Sequence, residues 1–439
     1  MKRPHKHRPW RVLAAALTTG LALSACGGGG GAGGTAASGG DKTLRVWFPG
    51  NLSNEVTWVN GTLVPAFEKQ HPGVDVQVEF VDWANLSTRL STAFAGNTAP
   101  DVFGHGNAAA AGFADAGRIQ PLDEQVAALP EADRTDLTFL NDGKVGGKQY
   151  IMPLRGFGYL VAYRKDLVKE AGLDFATPPA TWEDLRAAAG KLAQREGGKV
   201  TRSGLLMPAD NTISMSQAFG TLLFQAGGKF LAGDGKTVTW NAPEGVAALE
   251  HLTGLYQGSD AVSSGLGEKT ASTGAQHPLA TGRAAMALVD DATLKTIHEQ
   301  SPELAEKIGV LSPVKKAEAV SFGGAGNGMF ISAKTKLKKE AWDFISFMLK
   351  PENVKAYSLT VGGIPARTSV AKDPELTKVS YLAPFMEAAP QFRGNPNVAT
   401  WTQLRDALGK EIEKALRGTT PPRKALDDAA AAAEELLKG

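Results

Sequence analysis

The sequence predicts an α/β protein built on mostly parallel sheets and divided into two domains. Strand-like and helix-like patterns alternate along the chain from residue 44 onward, which implies βαβ units. The 439 residues leave about 400 after a leader-like start, more than a single hydrophobic core organises. No period of about 20–50 residues recurs, so repeat architectures are set aside.

The elements follow in order. Residues 44–48 (Leu-Arg-Val-Trp-Phe) read as a short apolar strand, 56–70 as a helix, and 74–80 (Val-Asp-Val-Gln-Val-Glu-Phe) as a period-two strand. Leu86, Leu90, Ala93 and Phe94 share one helix face, and residues 101–103 form the next strand. Asp142-Gly143 and Gly146-Gly147 mark tight turns before an extended segment that Pro153 stops. Thr181, with Asp184 three residues on, predicts a capping box opening a helix through Leu192. A strand at 286–289, a glycine-rich turn at 321–328, an apolar helix at 342–349 and a helix pair from 401 to 437 complete the chain. Thr400-Trp-Thr-Gln403 has a capping-box pattern, and Leu404, Leu408, Ile412 and Ala415 form the stripe that would dock the first helix of that pair.

The N-terminus has an export signal's form: five basic residues (Lys2, Arg3, Lys6, Arg8, Arg11), no acid, then an apolar run over 12–23. That run is too short for a bilayer of about 30 Å, which needs about 20 apolar residues. It ends in Leu23-Ser24-Ala25-Cys26, which resembles the bacterial lipobox, so residues 1–25 are expected to be removed and Cys26 lipidated. An ordinary cleavage site with an incidental cysteine is the alternative. Cys26 is the only cysteine, which excludes a disulfide within the chain and any thiolate metal cluster. Residues 26–41, almost all Gly, Ala, Ser and Thr after the cysteine, read as a tether. The 47 Lys and Arg less the five in the leader leave 42 against 45 Asp and Glu, a mature charge of about −3. No basic stripe interleaves with aromatics, so a nucleic-acid partner is not expected.

Catalytic motifs fail on context. Gly104-His-Gly106-Asn-Ala-Ala109 mimics a dinucleotide loop but follows the third strand rather than the first. The histidines lack metal-site spacing, no Gly-x-Ser-x-Gly elbow occurs, and no carboxylate pair stands out. No catalytic residue, cofactor or metal is assigned.

The order of several weak fragments is more specific than any one of them. These are Arg45-Val-Trp-Phe-Pro-Gly-Asn51, Pro65-Ala-Phe-Glu-Lys-Gln-His-Pro-Gly73, Ala99-Pro-Asp-Val-Phe103 and Tyr163-Arg-Lys-Asp-Leu167 with Thr181-Trp-Glu-Asp-Leu185. Gly227-Gly228 before Asp234-Gly235, Gly282-Arg-Ala-Ala-Met286, Gly323-Gly324, Gly363-Ile-Pro-Ala-Arg367 and the stretch from Trp401 through Leu416-Arg-Gly-Thr-Thr to Ala425-Leu426 follow. Together, over nearly all of residues 42–439, they resemble the bacterial extracellular sugar-binding proteins of ABC importers, the family that includes the maltose-binding protein. The resemblance implies a two-lobed periplasmic-binding-protein fold of type II, with lobe 1 at 42–152 plus 322–362, lobe 2 at 153–321 plus 363–439, and three hinge crossings. It implies a monomer that closes on a sugar and delivers it to permease subunits, held to the membrane by its lipid alone.

Ligands bind outside the carboxyl ends of parallel strands. In the first lobe these ends carry Asn51, Trp83, His105 and Asn107. Asn51 matches a family position that bonds sugar hydroxyls, whereas His105 and Asn107 stand where the family often has an aromatic and an acid. In the second lobe Arg155 and Tyr159 follow the first crossing, Asn211 lies in a polar loop, and Asp290 and Asp291 end a strand. Gly324, at the second crossing, and Trp401, matching a tryptophan that stacks on sugar in the family, complete the expected ligand site. The plainer alternatives are core packing for Trp83 and Trp401, a surface ion pair for Arg155 and a helix cap for Asp290. An exported carbohydrate-active enzyme such as a glycosidase, a structural surface lipoprotein, and a binder of a polyol or phosphodiester remain open alternatives.

Overall fold

The computed structural model describes residues 42–270 and 273–438. The expected leader, the Cys26 lipidation site and the tether lie outside the described residues. Within them the chain forms two principal sheets flanked by helices.

In the first sheet β1 (Lys42–Pro49) lies between β2 (Val74–Val81) and β3 (Val102–Gly106), parallel to both. The βαβαβ start expected from hydrophobic periodicity is therefore present. Because the chain moves to one side of β1 for β2 and to the other for β3, a crevice opens at their carboxyl ends. The connection from β1 is helical throughout: Ser53–Trp58, a π-helical turn at Val59–Leu63, and Val64–Gln70. Pro65 has no N–H to continue the α ladder, and Val64 donates instead to the carbonyl five residues back, on Val59.

The second sheet corrects the expectation of a mostly parallel one. The hairpin β4 (Lys144–Val145) and β5 (Lys148–Gln149) and the short β6 (Met152–Pro153) lead into β7 (Arg155–Arg164) at its centre. β7 is antiparallel to β10 (Ala284–Asp290), β11 (Ile308–Val310), β12 (Ser321–Ala325) and β14 (Ile364–Pro365). Parallel pairs remain between β10 and β9 (Lys199–Leu206) and between β12 and β15 (Phe392–Arg393), while β8 (Gln194–Glu196) closes the far edge. The cause is topological. β7 enters from the first sheet and must run away from it, whereas β9 and β10 return with their carboxyl ends toward it.

The glycine-rich segment 321–328 is strand rather than turn. β12 runs into β13 (Asn327–Ile331) with only Gly326 between them, and β13 joins the first sheet beside β3 and β6. Two of the passages between the lobes, at Leu154 and Gly326, are hydrogen-bonded to each other: Leu154 N–H donates to Asn327 O and Gly326 N–H to Arg155 O, both at 3.0 Å. Residues 322–325 thus lie in the second sheet, not the first as the sequence boundary had it. Ala366, Val370, Leu376 and Leu382 pack in the first core, not the second, and Arg367 pairs there with Asp133 and Asp136.

Each sheet carries its own core. Phe48, Phe67, Val102, Met329 and Phe344 anchor the first; Phe219, Trp240, Met286, Phe322 and Trp401 anchor the second. The capping box at Thr181 and Asp184 forms in both directions. The one expected at Thr400 does not: the helix Trp401–Leu416 starts with no side-chain cap, because Thr400 has ψ near 0° rather than the extended backbone that aims a cap oxygen. The stripe Leu404, Leu408, Ile412 and Ala415 is buried as expected. That helix lies close against Thr212–Gln225, and a Cβ on Gly409 would come within 2.7 Å of the Thr212 carbonyl oxygen.

Candidate functional site

The first wall of the cleft is built at the carboxyl ends of β1, β2 and β3. Gly50 turns the chain after β1 with φ +96°, and its missing side chain leaves room for the Trp83 indole, whose Nε1 a Cβ would meet at 3.0 Å. Asn51 beside it is exposed, and Trp83, which starts the helix after β2, is 47% exposed. Its ring stands edge-on to His105, with centroids 6.1 Å apart. The Nδ1 of His105 accepts from the Gly106 N–H at 2.8 Å, so its Nε2 carries the proton and donates to Ser87 Oγ at 3.0 Å. Burial above all, helped by the positive charge of Arg405, pushes the imidazole down to about 4. It is neutral at physiological pH. Asn107 follows, with its Oδ1 buried and without a hydrogen-bond partner among the described residues.

The second wall lies at the carboxyl ends of β9 and β10 and the start of β7. Tyr159, paired in register with Asp290, donates its hydroxyl to Gln217 Oε1 at 3.0 Å. Burial first, then the charges of Asp290, Asp291 and Asp210, push the phenol well up, so it remains a donor. Asp290 caps the helix Asp291–Gln300 by accepting from Thr293 N–H at 2.7 Å. Asn211 caps Thr212–Gln225 through Ile213 and Ser214 N–H, and its amide nitrogen binds Asp210 at 3.1 Å. These two side chains therefore do the local work of their helix starts. Asp210 keeps one buried oxygen, Oδ1, with no partner among the described residues.

Arg155 and Asp291 meet at the hinge. Arg155 Nη1 lies 3.4 Å from Asp291 Oδ2 and donates to the Gly362 carbonyl at 3.2 Å, while Asp291 Oδ1 accepts from Gly158 N–H at 3.4 Å. Burial pushes the Asp291 carboxyl up to about 7 against the pull of Arg155. Gly324, with φ +120°, faces the Asp142 carboxylate and Gly394. Trp401 is completely enclosed, its ring 4.9 Å from that of Phe230. It packs as a core residue with no face open to a sugar, which corrects the stacking role expected for it.

The structure thus gathers Asn51, Trp83, His105 and Asn107 on one wall and Tyr159, Asp290 and Asp291 on the other, with Arg155 and Gly324 at the hinge. Sequence reading missed four contributors. Arg405 is one helical turn past Trp401, so the i, i+4 spacing could have found it. Asp210, beside Asn211, was within the same polar loop. Gln217 and Glu55 carry no such signal; Glu55 is buried, accepts from Tyr357 Oη at 2.7 Å, and is pushed up by that burial. Among the described residues no group of His, Cys, Asp or Glu is arranged to hold a metal ion, and no helix is long and apolar enough to cross a membrane.

Two α/β lobes facing each other across a hydrogen-bonded hinge define a two-lobed binding protein. The model of the bacterial extracellular solute-binding proteins matches residues 57–355, and the chain belongs to that family. A cyclic alpha-maltosyl-1,6-maltose binding protein from Arthrobacter globiformis is 26% identical and superposes with a TM-score of 0.76 over 91% of this chain and 100% of that one. The sn-glycerol-3-phosphate-binding periplasmic protein of Escherichia coli is 25% identical over 458 residues, 98% of either chain. An uncharacterized lipoprotein in the oleD 5′ region of Streptomyces antibioticus is 29% identical over 324 residues, 72% of this chain and 68% of that protein.

Proposed function

We propose that this protein is the sugar-binding lipoprotein of an ABC importer, closing its lobes on a sugar and presenting it to the permease. The observation that carries the sugar reading is the kind of polar atom left without a partner. Asn107 Oδ1 on the first wall and Asp210 Oδ1 on the second are buried acceptors. Sugar hydroxyls donate to such oxygens on both walls, whereas the phosphate group of an ester offers only further acceptors and leaves donation to its few alcohol hydroxyls. The exposed indole of Trp83 supplies the apolar face on which the C–H side of a pyranose lies. Asn51, Trp83, Asn107 and Tyr159 are the proposed direct contacts, with His105, Asp290 and Asn211 fixing the backbone around them and Arg155, Asp291 and Gly324 serving the hinge.

A second reading, capture of a phosphodiester or phosphomonoester, is favoured by the likeness to the glycerol-phosphate-binding relative over 98% of either chain. Attachment by a lipid on Cys26 rests on the Leu-Ser-Ala-Cys sequence and on the likeness to a Streptomyces lipoprotein. Thermal melting with neutral sugars and with sn-glycerol-3-phosphate decides between the readings. A ligand present at 100 times its dissociation constant adds about 2.7 kcal/mol of stability. A rise with the phosphate ester alone would overturn the sugar reading.

A further inference from the structure

The end of the first lobe away from the cleft holds a recess of about 340 Å³. It opens at the amino ends of β1 and β3 and the carboxyl end of β13, whereas the cleft lies at the opposite ends of β1 and β3. Three backbone hydrogen bonds of 2.9 Å fix its rim: Asp101 N–H to Arg45 O, Ser332 N–H to Asp101 O and Ala333 N–H to Arg118 O. The volume falls within the range of small-molecule pockets, about 300–1,000 Å³.

Its charge is one-sided. Arg45, Arg118, Lys334 and Lys336 line it against a single carboxylate, Asp101. That carboxylate is already engaged: Oδ1 accepts from Thr335 Oγ1 at 2.6 Å and Oδ2 from Arg45 N–H at 3.0 Å. Arg45 Nε stands 4.0 Å from the same Oδ2, while its Nη atoms donate to the Thr98 and Ala99 carbonyls. Among the described residues Arg118, Lys334 and Lys336 have no carboxylate partner. Arg118 lies over the Phe94 ring, 5.6 Å from its centroid, and Lys334 donates to Asn97 Oδ1 at 2.6 Å. Basic residues just outside differ, since Lys42 is paired with Glu340 and Lys339 with Asp343.

Like charges gathered in one recess repel unless an anion joins them. A phosphate group meets all of them as an acceptor, and Phe94 and Leu337 add apolar surface beside the cations.

We propose that this recess binds the phosphate of an anionic phospholipid headgroup, so that the far end of lobe 1 rests on the membrane surface. Its location favours lipid over free phosphate. Thr43 and Arg45 line the recess just past residue 41, where the expected tether ends and β1 begins. A glycine-rich chain as long as residues 27–41 has an r.m.s. span of about 20 Å, which puts headgroups at an effective concentration in the millimolar range. The lipid-anchor reading supplies that nearness; the recess itself does not depend on it.

The test is cosedimentation with phosphatidylglycerol or phosphatidylcholine vesicles. The chain from Gly27 onward is used, which contains the compact unit Asp41–Gly439 and lacks both the basic leader and any acyl group. It should bind phosphatidylglycerol at least about tenfold more tightly than phosphatidylcholine, and the difference should shrink as salt is raised from about 0.1 M to about 1 M. Lys334→Gln with Lys336→Gln should weaken binding roughly 25-fold, about fivefold per lysine, without lowering the melting temperature, because both side chains are exposed. Lys191→Gln with Lys199→Gln removes two exposed lysines of the second lobe and should change binding by less than about twofold. Equal losses in the two pairs, or equal binding to the two lipids, would overturn the proposal. Inorganic phosphate raising the melting temperature of the wild type but not of the Lys334 and Lys336 pair, with no vesicle binding, would overturn the lipid assignment. Because this chain carries no acyl group, its vesicle binding and the lipidation of Cys26 fail separately.

Discussion

Arg155 Nη1 stands 3.4 Å from a carboxylate oxygen of Asp291 that has no contact with solvent, and the same guanidinium holds the carbonyl of Gly362. One side chain on the first passage between the lobes therefore grips the end of the helix that leads into β14. Its partner is pushed up to about 7 by burial, so attraction to Arg155 only partly offsets the loss of water.

The sign of the resulting pH dependence follows. A carboxyl whose folded-state pKa is raised contributes stability that is fully present below its unfolded value of about 3.9 and is lost as pH rises to about 7. His105, pushed down to about 4, acts in the opposite direction, losing stability as pH falls below about 6.5. The difference between wild type and Asp291→Asn isolates the first effect. Denaturant unfolding at pH 4.5 and 7.5 should show the wild type losing roughly 3 kcal/mol more than the variant across that interval. Parallel curves would mean that Asp291 ionises normally.

Trp401→Ala should destabilise the ligand-free protein by about 3–5 kcal/mol, the usual cost of removing a large buried ring. Urea unfolding measures it. A stability loss below about 1 kcal/mol would place the ring outside the core.

Trp83→Ala should behave in the reverse way, because nearly half of that side chain is already in water. Stability should change by less than about 0.5 kcal/mol, while sugar affinity falls by roughly 1–3 kcal/mol through loss of the stacking face. Calorimetry and melting on the same preparation separate the two quantities.

Ligand should draw the lobes together, since each wall carries only part of the contacts and closure excludes water from both. Small-angle scattering at saturating ligand should give a smaller radius of gyration than the ligand-free protein.

Cys26→Ser should abolish incorporation of radiolabelled palmitate and release the protein from the membrane fraction, because two acyl chains give stable anchoring where one does not. Absence of label on the wild type would remove the lipid anchor from the proposed function.

Much of the first lobe was legible because local signals and tertiary outcome agree there: the 2-to-3.6 switch of period between β1 and its helices, and the turn glycines. The second sheet was not, since strand direction depends on where the chain enters a domain and leaves no mark on β7. The strand-end rule put Asn51, Trp83, His105 and Asn107 just past the carboxyl ends of β1, β2 and β3, and that is where they sit. Asn211 and Asp290, which it also singled out, cap their helices, and their residue types serve helix caps as readily as ligands. Trp401 misled for a related reason: a tryptophan beside an apolar stripe looks the same in sequence whether it faces the cleft or the core. Burial decides, and it is a property of what packs on top, here Phe230 from a distant loop.

The paired passages at Leu154 and Gly326 also set what kind of machine the lobes can form. β6 and β7 run as one rail and β12 and β13 as another, cross-linked by backbone hydrogen bonds on both sides of the joint. Such a ribbon resists sliding, because a slip of one rail would break every rung at once. Bending across its width costs far less, as the deformation can concentrate at Gly324 and Gly326 without breaking a rung. The door can therefore swing but not shuffle, and its two faces return to the same alignment at every stroke.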